Sequence, residues 1–199
     1  PSEITVDRVS LPLVPDNMPV VPVKIYGDGN CLPRAVSLHA YHTEYFHEEI
    51  RYRIVVELVN NETWYLSDEL DAGGSNANCA ATFAMFSEHF TGQSFTVKSV
   101  QDIFREEVVT IIKNGTYMGA WQMAAVASLL RSPVQSVYPQ YASLTVRNDL
   151  HRLFHPRSGC IDTEPNCTEP VMILWTNTQG VHLAPKNWLP NHFVLLVER

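Results

Sequence analysis

Two continuous apolar runs near the end of the chain, VMILWTN (171–177) and HFVLLVE (192–198), set the strongest limit on its fold. Neither alternates apolar with polar residues, so each suits a buried strand of a covered sheet. Helical patterns come earlier. HEEIRYRIVVELVNNETWYL (47–66) and TVKSVQDIFREEVVTIIKN (96–114) carry apolar residues at helical spacing, the latter closed by Asn114-Gly115. Glu48 and Glu49 sit near the start of the first, where the helix dipole favours them. GAWQMAAVASLLRS (119–132) is apolar nearly all round, which predicts a central helix stopped by Pro133 and followed by a short strand, VQSVYP (134–139). NCAATFAMFSEHF (78–90) predicts a shorter helix after DAGGSNA (71–77), a Gly-rich mobile loop. Helices first and strands clustered late predict an α+β fold with a small central sheet.

The remaining segments are less regular. Prolines at 12, 15, 19 and 22 forbid an α-helix at the start, so residues 1–22 read as an extended arm with edge-strand character, and 23–199 as a single domain. Residues 141–168 are polar and predict irregular structure. A chain of 199 residues with 45% hydrophobic and 18% charged content suits one folded domain and not a disordered one. Its net charge of -7 argues against a nucleic-acid binder that relies on a basic face. No stretch approaches the roughly 18 apolar residues needed to span a bilayer, so no membrane partner is expected. The first residues lack the basic-then-apolar layout of a signal peptide, and the absence of Met reads as a chain cut from a longer one. The cysteines, Cys31, Cys79, Cys160 and Cys167, match no zinc spacing. A Cys160–Cys167 disulfide is one reading, and free thiols in a reducing compartment the other. Sequons at Asn61, Asn114 and Asn166 carry little weight without a signal peptide, and an intracellular location, cytoplasm or nucleus, is expected.

The chemistry concentrates in GDGNCLPRA (27–35), where a glycine turn runs into a helical pattern with Pro33 in its first turn. Cys31 opens that helix. A thiol there has its thiolate stabilised by the helix dipole and by unpaired backbone N–H groups. The same N–H groups, with those of the turn, can receive an oxyanion, and glycines at 27 and 29 let the backbone approach a substrate closely. Such a nucleophile needs a base, usually a histidine from elsewhere. His39, His42 and His47 would have to fold back two or more turns. His89 ends a helix, His151 and His155 fall in the polar region, and His182 is in a loop. His192 opens the last apolar run, where a polar ring is either a base or a partly exposed strand-end residue.

DGNCLPRA (28–35) resembles the signature of the ovarian tumour (OTU) family of cysteine proteases, most of which are deubiquitinases. GAWQMAAVASLLRSPVQSVYP (119–139) resembles the family's turn, apolar helix, proline and strand, with fewer glycines, and NHFVLLV (191–197) its histidine-led last strand. The three occur in the family's order across roughly residues 20 to 199. The resemblance implies a papain-like OTU fold, with a small sheet packed between helices, and hydrolysis of the bond at the C-terminus of ubiquitin or a ubiquitin-like modifier. It implies Cys31 as nucleophile, His192 as general base and Asp28 as an active-site residue of the loop. Gly29 and Asn30 would belong to the oxyanion loop, and Gly119, Ala120 and Trp121 would flank the channel for ubiquitin's last glycines, with Trp121 in the core as the alternative. Ubiquitin, polyubiquitin chains or a ubiquitin-like modifier are the expected partners of a monomer without cofactor or metal.

One position departs from the pattern. Many members carry Asn or Asp two residues after the histidine to orient its ring, and here Val194 stands there. Asp16, Asn17, Asn177, Asn187 and Asn191 are candidates for that role, and a Cys–His dyad is the alternative. An inactive ubiquitin-binding module and a cysteine protease acting on other polypeptides are the competing functions. EEIRYR (48–53) and FREE (104–107) read as solvated helix faces, His39, His42 and His47 lack a completing carboxylate or thiol for a metal, and the Gly-rich loop lacks the Lys-Ser/Thr of a phosphate loop.

Overall fold

The computed structural model describes residues 5–16, 18–71, 79–159, 169–179 and 188–198. The apolar runs form the centre of a five-stranded sheet. Its strands are β1 (Val20–Val23), β2 (Val134–Val137), β3 (Leu153–Phe154), β4 (Val171–Thr176) and β5 (His192–Glu198), in the order β1-β5-β4-β2-β3. β4 lies between β5, antiparallel, and β2, parallel. Val171, Ile173, Leu174 and Phe193 to Leu196 are all buried, which explains why neither run shows polar alternation. The β4–β5 register sets Thr176 opposite His192, so the histidine enters at one end of the sheet. Pro22 sits in β1, paired on one side with β5, and the segment around Val6 covers part of the other.

Helices flank this sheet. They are α1 (Cys31–Tyr41), α2 (His47–Asn60), α3 (Glu62–Tyr65), α4 (Cys79–Met85), α5 (Val97–Ile111), α6 (Ala120–Leu130) and α7 (Leu144–Leu150). α1 packs on β5, α2 on α1 and α6, and α6 on β2. α5 starts at a capping box: Ser99 N donates to Thr96 Oγ1 at 3.1 Å and Thr96 N to Ser99 Oγ at 2.8 Å. Its apolar face, Val100, Ile103, Phe104, Val108 and Ile111, is buried. α6 is buried from Ala120 through Ser128, as its largely apolar sequence suits, and Ser132 and Pro133 turn the chain into β2. A turn of 3-10 helix, Leu11–Leu13, carries Pro12 where its missing N–H costs nothing.

Four expectations are corrected. Residues 141–168 are not irregular throughout: they supply α7 and β3. α7 buries only Leu150, so its sequence has no apolar stripe, and Arg147 Nε bonded to the Tyr138 carbonyl at 3.1 Å helps hold it. EEIRYR is not a solvated face throughout, because Arg51 is 1% exposed within it. Within FREE, Phe104 and Glu107 are buried and only Arg105 and Glu106 face solvent. The long pattern 47–66 also breaks at Asn61, where α2 ends and α3 begins. Residues 72–77 of the Gly-rich loop, Cys160 and Cys167, His182, and Asn17, Asn166 and Asn187 lie outside the described residues.

Trp121 is fully buried, edge-on to Phe104 at 5.2 Å and to Phe83 at 6.2 Å between ring centres. Replacing it by Ala leaves a cavity at the junction of α4, α5 and α6, and about 3–5 kcal/mol of stability should be lost. Thermal unfolding followed by circular dichroism should show the melting temperature down by roughly 10 °C; a change within 2 °C or so would contradict this packing.

Candidate active site

Cys31 is the first residue of α1 and is 2% exposed. The loop before it is built around Asp28. One carboxylate oxygen, Oδ1, accepts from Asn30 N at 3.0 Å and Arg34 Nε at 3.1 Å. The other, Oδ2, accepts from Asn30 Nδ2 at 3.0 Å and Arg34 Nη2 at 2.7 Å. These bonds, Arg34 foremost, hold the Asp28 carboxyl well below the usual carboxylate range. Asp28 is therefore a permanently charged brace of the loop, with no proton to exchange near neutral pH. Gly29 has φ +81, and a Cβ there would lie 1.7 Å from the Gly115 carbonyl oxygen, so only glycine fits.

Backbone N–H groups of Phe193, Leu32 and Cys31 itself face the thiol and favour its anion. Burial outweighs them, and the Cys31 pKa is pushed up to about 11. Phe193 is the residue after His192, so the start of β5, which carries the candidate base, lies beside Cys31. His192 is 5% exposed, and a Cβ on Gly27 would come within 3.7 Å of its ring. Burial lowers the His192 pKa, opposed by the Asp7 carboxylate, by a hydrogen bond to the backbone of Ile25 and by Asp28. Burial thus favours the neutral form of each group, imidazole and thiol.

The candidates for orienting His192 divide. Val194 is buried and apolar. Asn177 is committed to the β4–β5 connection, accepting from Gln179 N at 2.7 Å and donating to the Leu189 carbonyl. Asn191 is likewise held by Thr178, accepting from its N at 3.0 Å. Asp16 is exposed. The carboxylate that acts on His192 from the arm is Asp7, which sequence reasoning missed. Asp7 accepts from Ser10 N at 3.4 Å and from Ser10 Oγ at 2.8 Å. Ser10 Oγ meets Thr176 Oγ1 at 2.7 Å, and Thr176 is the register partner of His192.

Gly119 and Ala120 line a cavity of about 320 Å³ bordered by Tyr117, Tyr138, Trp175, Leu189 and Pro190. Trp121, one residue on, turns into the core instead. Glu107 also lines the cavity, where burial raises its pKa, opposed first by a hydrogen bond from Ser87. Gly119 N is capped by Gln122 Oε1 at 2.6 Å. The Tyr117 ring stacks on Phe193 at 5.2 Å and 10°, and its hydroxyl feels the charge state of Cys31. Tyr117 thus links the border of the cavity to the surroundings of Cys31. Neither Tyr117 nor Glu107 carries a sequence signal that separates it from ordinary core and surface positions. Among the described residues, no group of three or more His, Cys, Asp or Glu is placed to hold a metal.

A cysteine at a helix start, a glycine loop before it and a histidine opening the neighbouring strand define an OTU-type domain, and comparison with known proteins places it within that class. The family model for the OTU domain of vertnin matches residues 22–176, and the chain belongs to that family. It is 29% identical to vertnin of Danio rerio over 195 residues, covering 96% of this chain and 28% of that protein. To vertnin of Homo sapiens it is 27% identical over 157 residues, 77% of this chain and 22% of that protein. The chain thus spans less than a third of these relatives. Among solved structures, the OTU domain of OTUD1 is similar with a TM-score of 0.46 and 15% identity, over 90% of this chain and 86% of that one. The viral OTU domain protease from Farallon virus gives 0.44 and 13%, over 98% of each chain.

Gly29→Ala tests the loop geometry. The added methyl meets the Gly115 backbone and a positive φ together, so the loop must move away from Cys31. The variant should lose about 2 kcal/mol or more in denaturant unfolding, and its Cys31 should be alkylated at a changed rate; wild-type behaviour in both would contradict the close approach.

Proposed function

We propose that the chain is a thiol-dependent hydrolase that cleaves the isopeptide or peptide bond at the C-terminus of ubiquitin or a ubiquitin-like modifier. The observation that carries this reading is the thiol of Cys31, at the start of α1, facing the N–H of Phe193 beside His192. In this reaction Cys31 Sγ attacks the carbonyl carbon of the modifier's last glycine while His192 takes the thiol proton. The oxyanion is received by the N–H of Cys31 and those of the loop at Gly29 and Asn30. His192 then returns the proton to the leaving amine, and water, deprotonated by the same ring, hydrolyses the thioester. Asp28 keeps the loop in shape, and Asp7 favours the imidazolium that forms during the reaction. The wall at Gly119 and Ala120 would border the modifier's terminal glycines. A reducing compartment, and with it a cytoplasmic or nuclear location, is part of the proposal.

A binding module without turnover is the second reading. It is favoured by the burial of both Cys31 and His192 and by Val194 at the position where many relatives orient the ring. Ubiquitin carrying a C-terminal electrophile separates the two. Intact mass should rise by one ubiquitin with the wild-type protein and not with Cys31→Ala, and His192→Ala should slow capture by about 100-fold or more. Binding without a mass increase would establish the module instead.

The pH profile is the second test. The base must be neutral, and the His192 pKa is lowered from 6.5. The acid limb of kcat/KM, as the ring becomes protonated, should therefore have its midpoint below pH 6.5. An acid limb centred above 6.5 would contradict a buried, neutral base.

A further inference from the structure

Arg51 projects from α2 into the protein and sits behind the loop that precedes Cys31. Its guanidinium is buried, and its hydrogen bonds go to two segments. Nε donates to Asn30 Oδ1 at 3.0 Å and Nη2 to the Gly29 carbonyl at 3.0 Å. From the other segment, Nη1 donates to the Ile111 carbonyl at 2.8 Å and to Thr116 Oγ1 at 3.1 Å, and Nη2 to the Thr116 carbonyl at 2.8 Å. All five N–H donors are thus used, and every acceptor is a neutral oxygen. Asn30 Oδ1 also accepts from Gly115 N at 3.2 Å, so one amide oxygen joins both segments and the arginine. The two segments meet at Gly29 and Gly115, both at positive φ, with no space for a side chain on Gly29.

This arrangement is poor as simple core packing. A buried guanidinium hydrogen-bonded to no carboxylate is poorly repaid for leaving water, and burial indeed lowers the Arg51 pKa. The charge is felt at Cys31 and at Asp28. The groups electrostatically linked to Cys31 are Asp28 from its own loop, Arg51 from α2 and Tyr117 from the chain before α6. Asp28 is matched by Arg34, which leaves Arg51 as the cation whose field at the thiol is not cancelled by a direct partner.

We propose that Arg51 is a positioning residue for the reaction: it fixes the oxyanion loop against residues 111–116 and supplies the positive field that a thiolate or oxyanion at Cys31 needs. This rests on the hydrolase reading for its consequence in turnover, and on geometry alone for its effect on Cys31. A guanidinium is suited to both tasks, since its planar fork reaches acceptors in fixed directions and its charge persists when buried, whereas a lysine offers one ammonium.

The test compares wild type, Arg51→Lys and Arg51→Met by far-ultraviolet circular dichroism, by the pH dependence of Cys31 alkylation with iodoacetamide, and by capture with the ubiquitin electrophile. Arg51→Met should move the alkylation profile about one unit to higher pH, as expected for losing a nearby positive charge. It should also slow capture at least about tenfold through misplacement of the loop. Arg51→Lys should leave the alkylation profile near that of wild type and recover part of the capture rate. A folded Arg51→Met with wild-type profile and wild-type capture overturns the proposal. If Arg51→Met does not fold, Asn30→Ala decides: it removes the oxygen shared by Arg51 and Gly115 while leaving the guanidinium. About tenfold slower capture with an unshifted alkylation profile supports the proposal, and wild-type capture overturns it. If the wild-type protein captures no ubiquitin, yet Arg51→Met still shifts the alkylation profile, the hydrolase reading fails and the assignment of Arg51 to Cys31 stands.

Discussion

A positive charge buried without a hydrogen-bonded counter-charge governs the local architecture. Removing the Arg51 guanidinium from water costs several kcal/mol unless each N–H finds an acceptor. The chain satisfies that demand by bringing two loops into contact around it: Gly29 and Asn30 from one, Ile111 and Thr116 from the other. The close approach excludes a side chain at Gly29, and Gly115 faces it, also at positive φ. The backbone just before Cys31 is thereby supported from behind by α2 and from the side by the end of α5. Asp28 and Arg34 hold the same loop from the front through a charged fork.

The sheet supplies the other half of the site. β5 is central, paired with β4 and β1, and its first residue is His192. Because α1 packs on β5, the helix start meets the strand start, and the Phe193 N–H faces the thiol. Burial then acts on both titratable groups in the direction of neutrality, raising Cys31 and lowering His192. Such a pair stores no separated charge at rest. A substrate carbonyl that pushes negative charge into the loop would be met by backbone N–H groups already in place.

The influences on the His192 imidazole come from segments outside β5. Val194 continues the buried face of β5 and contributes packing only. The backbone of Ile25 provides a hydrogen bond, and Asp7 provides charge from the N-terminal arm, next to the hydroxyl pair Ser10–Thr176. On the far side, the start of α6 divides its residues by direction. Gly119 and Ala120 face the cavity, while Trp121 fills the space between Phe83 and Phe104. Neighbouring helical residues point about 100° apart, so one short stretch serves both wall and core.

Local sequence determined the elements with strong periodicity and the ends of the site. The apolar runs at 171–177 and 192–198 could only be buried strands, and 119–132 only a buried helix, because burial on all sides needs apolar residues on all sides. GDGNC carried the nucleophile loop through backbone rules alone: glycine where φ is positive, Asp and Asn to bond the turn, and a helix beginning at the thiol. Tertiary structure decided what depends on distant partners. Arg51 looked like one more charge on a solvated helix, since in a one-dimensional pattern a buried arginine and an exposed one are the same letter. Asp7 gave no sign of acting on a ring 185 residues away, and α7 had only one buried residue to mark it. Hydrogen-bond acceptors for a buried charge, and the field at a buried ring, come from segments that only folding brings together.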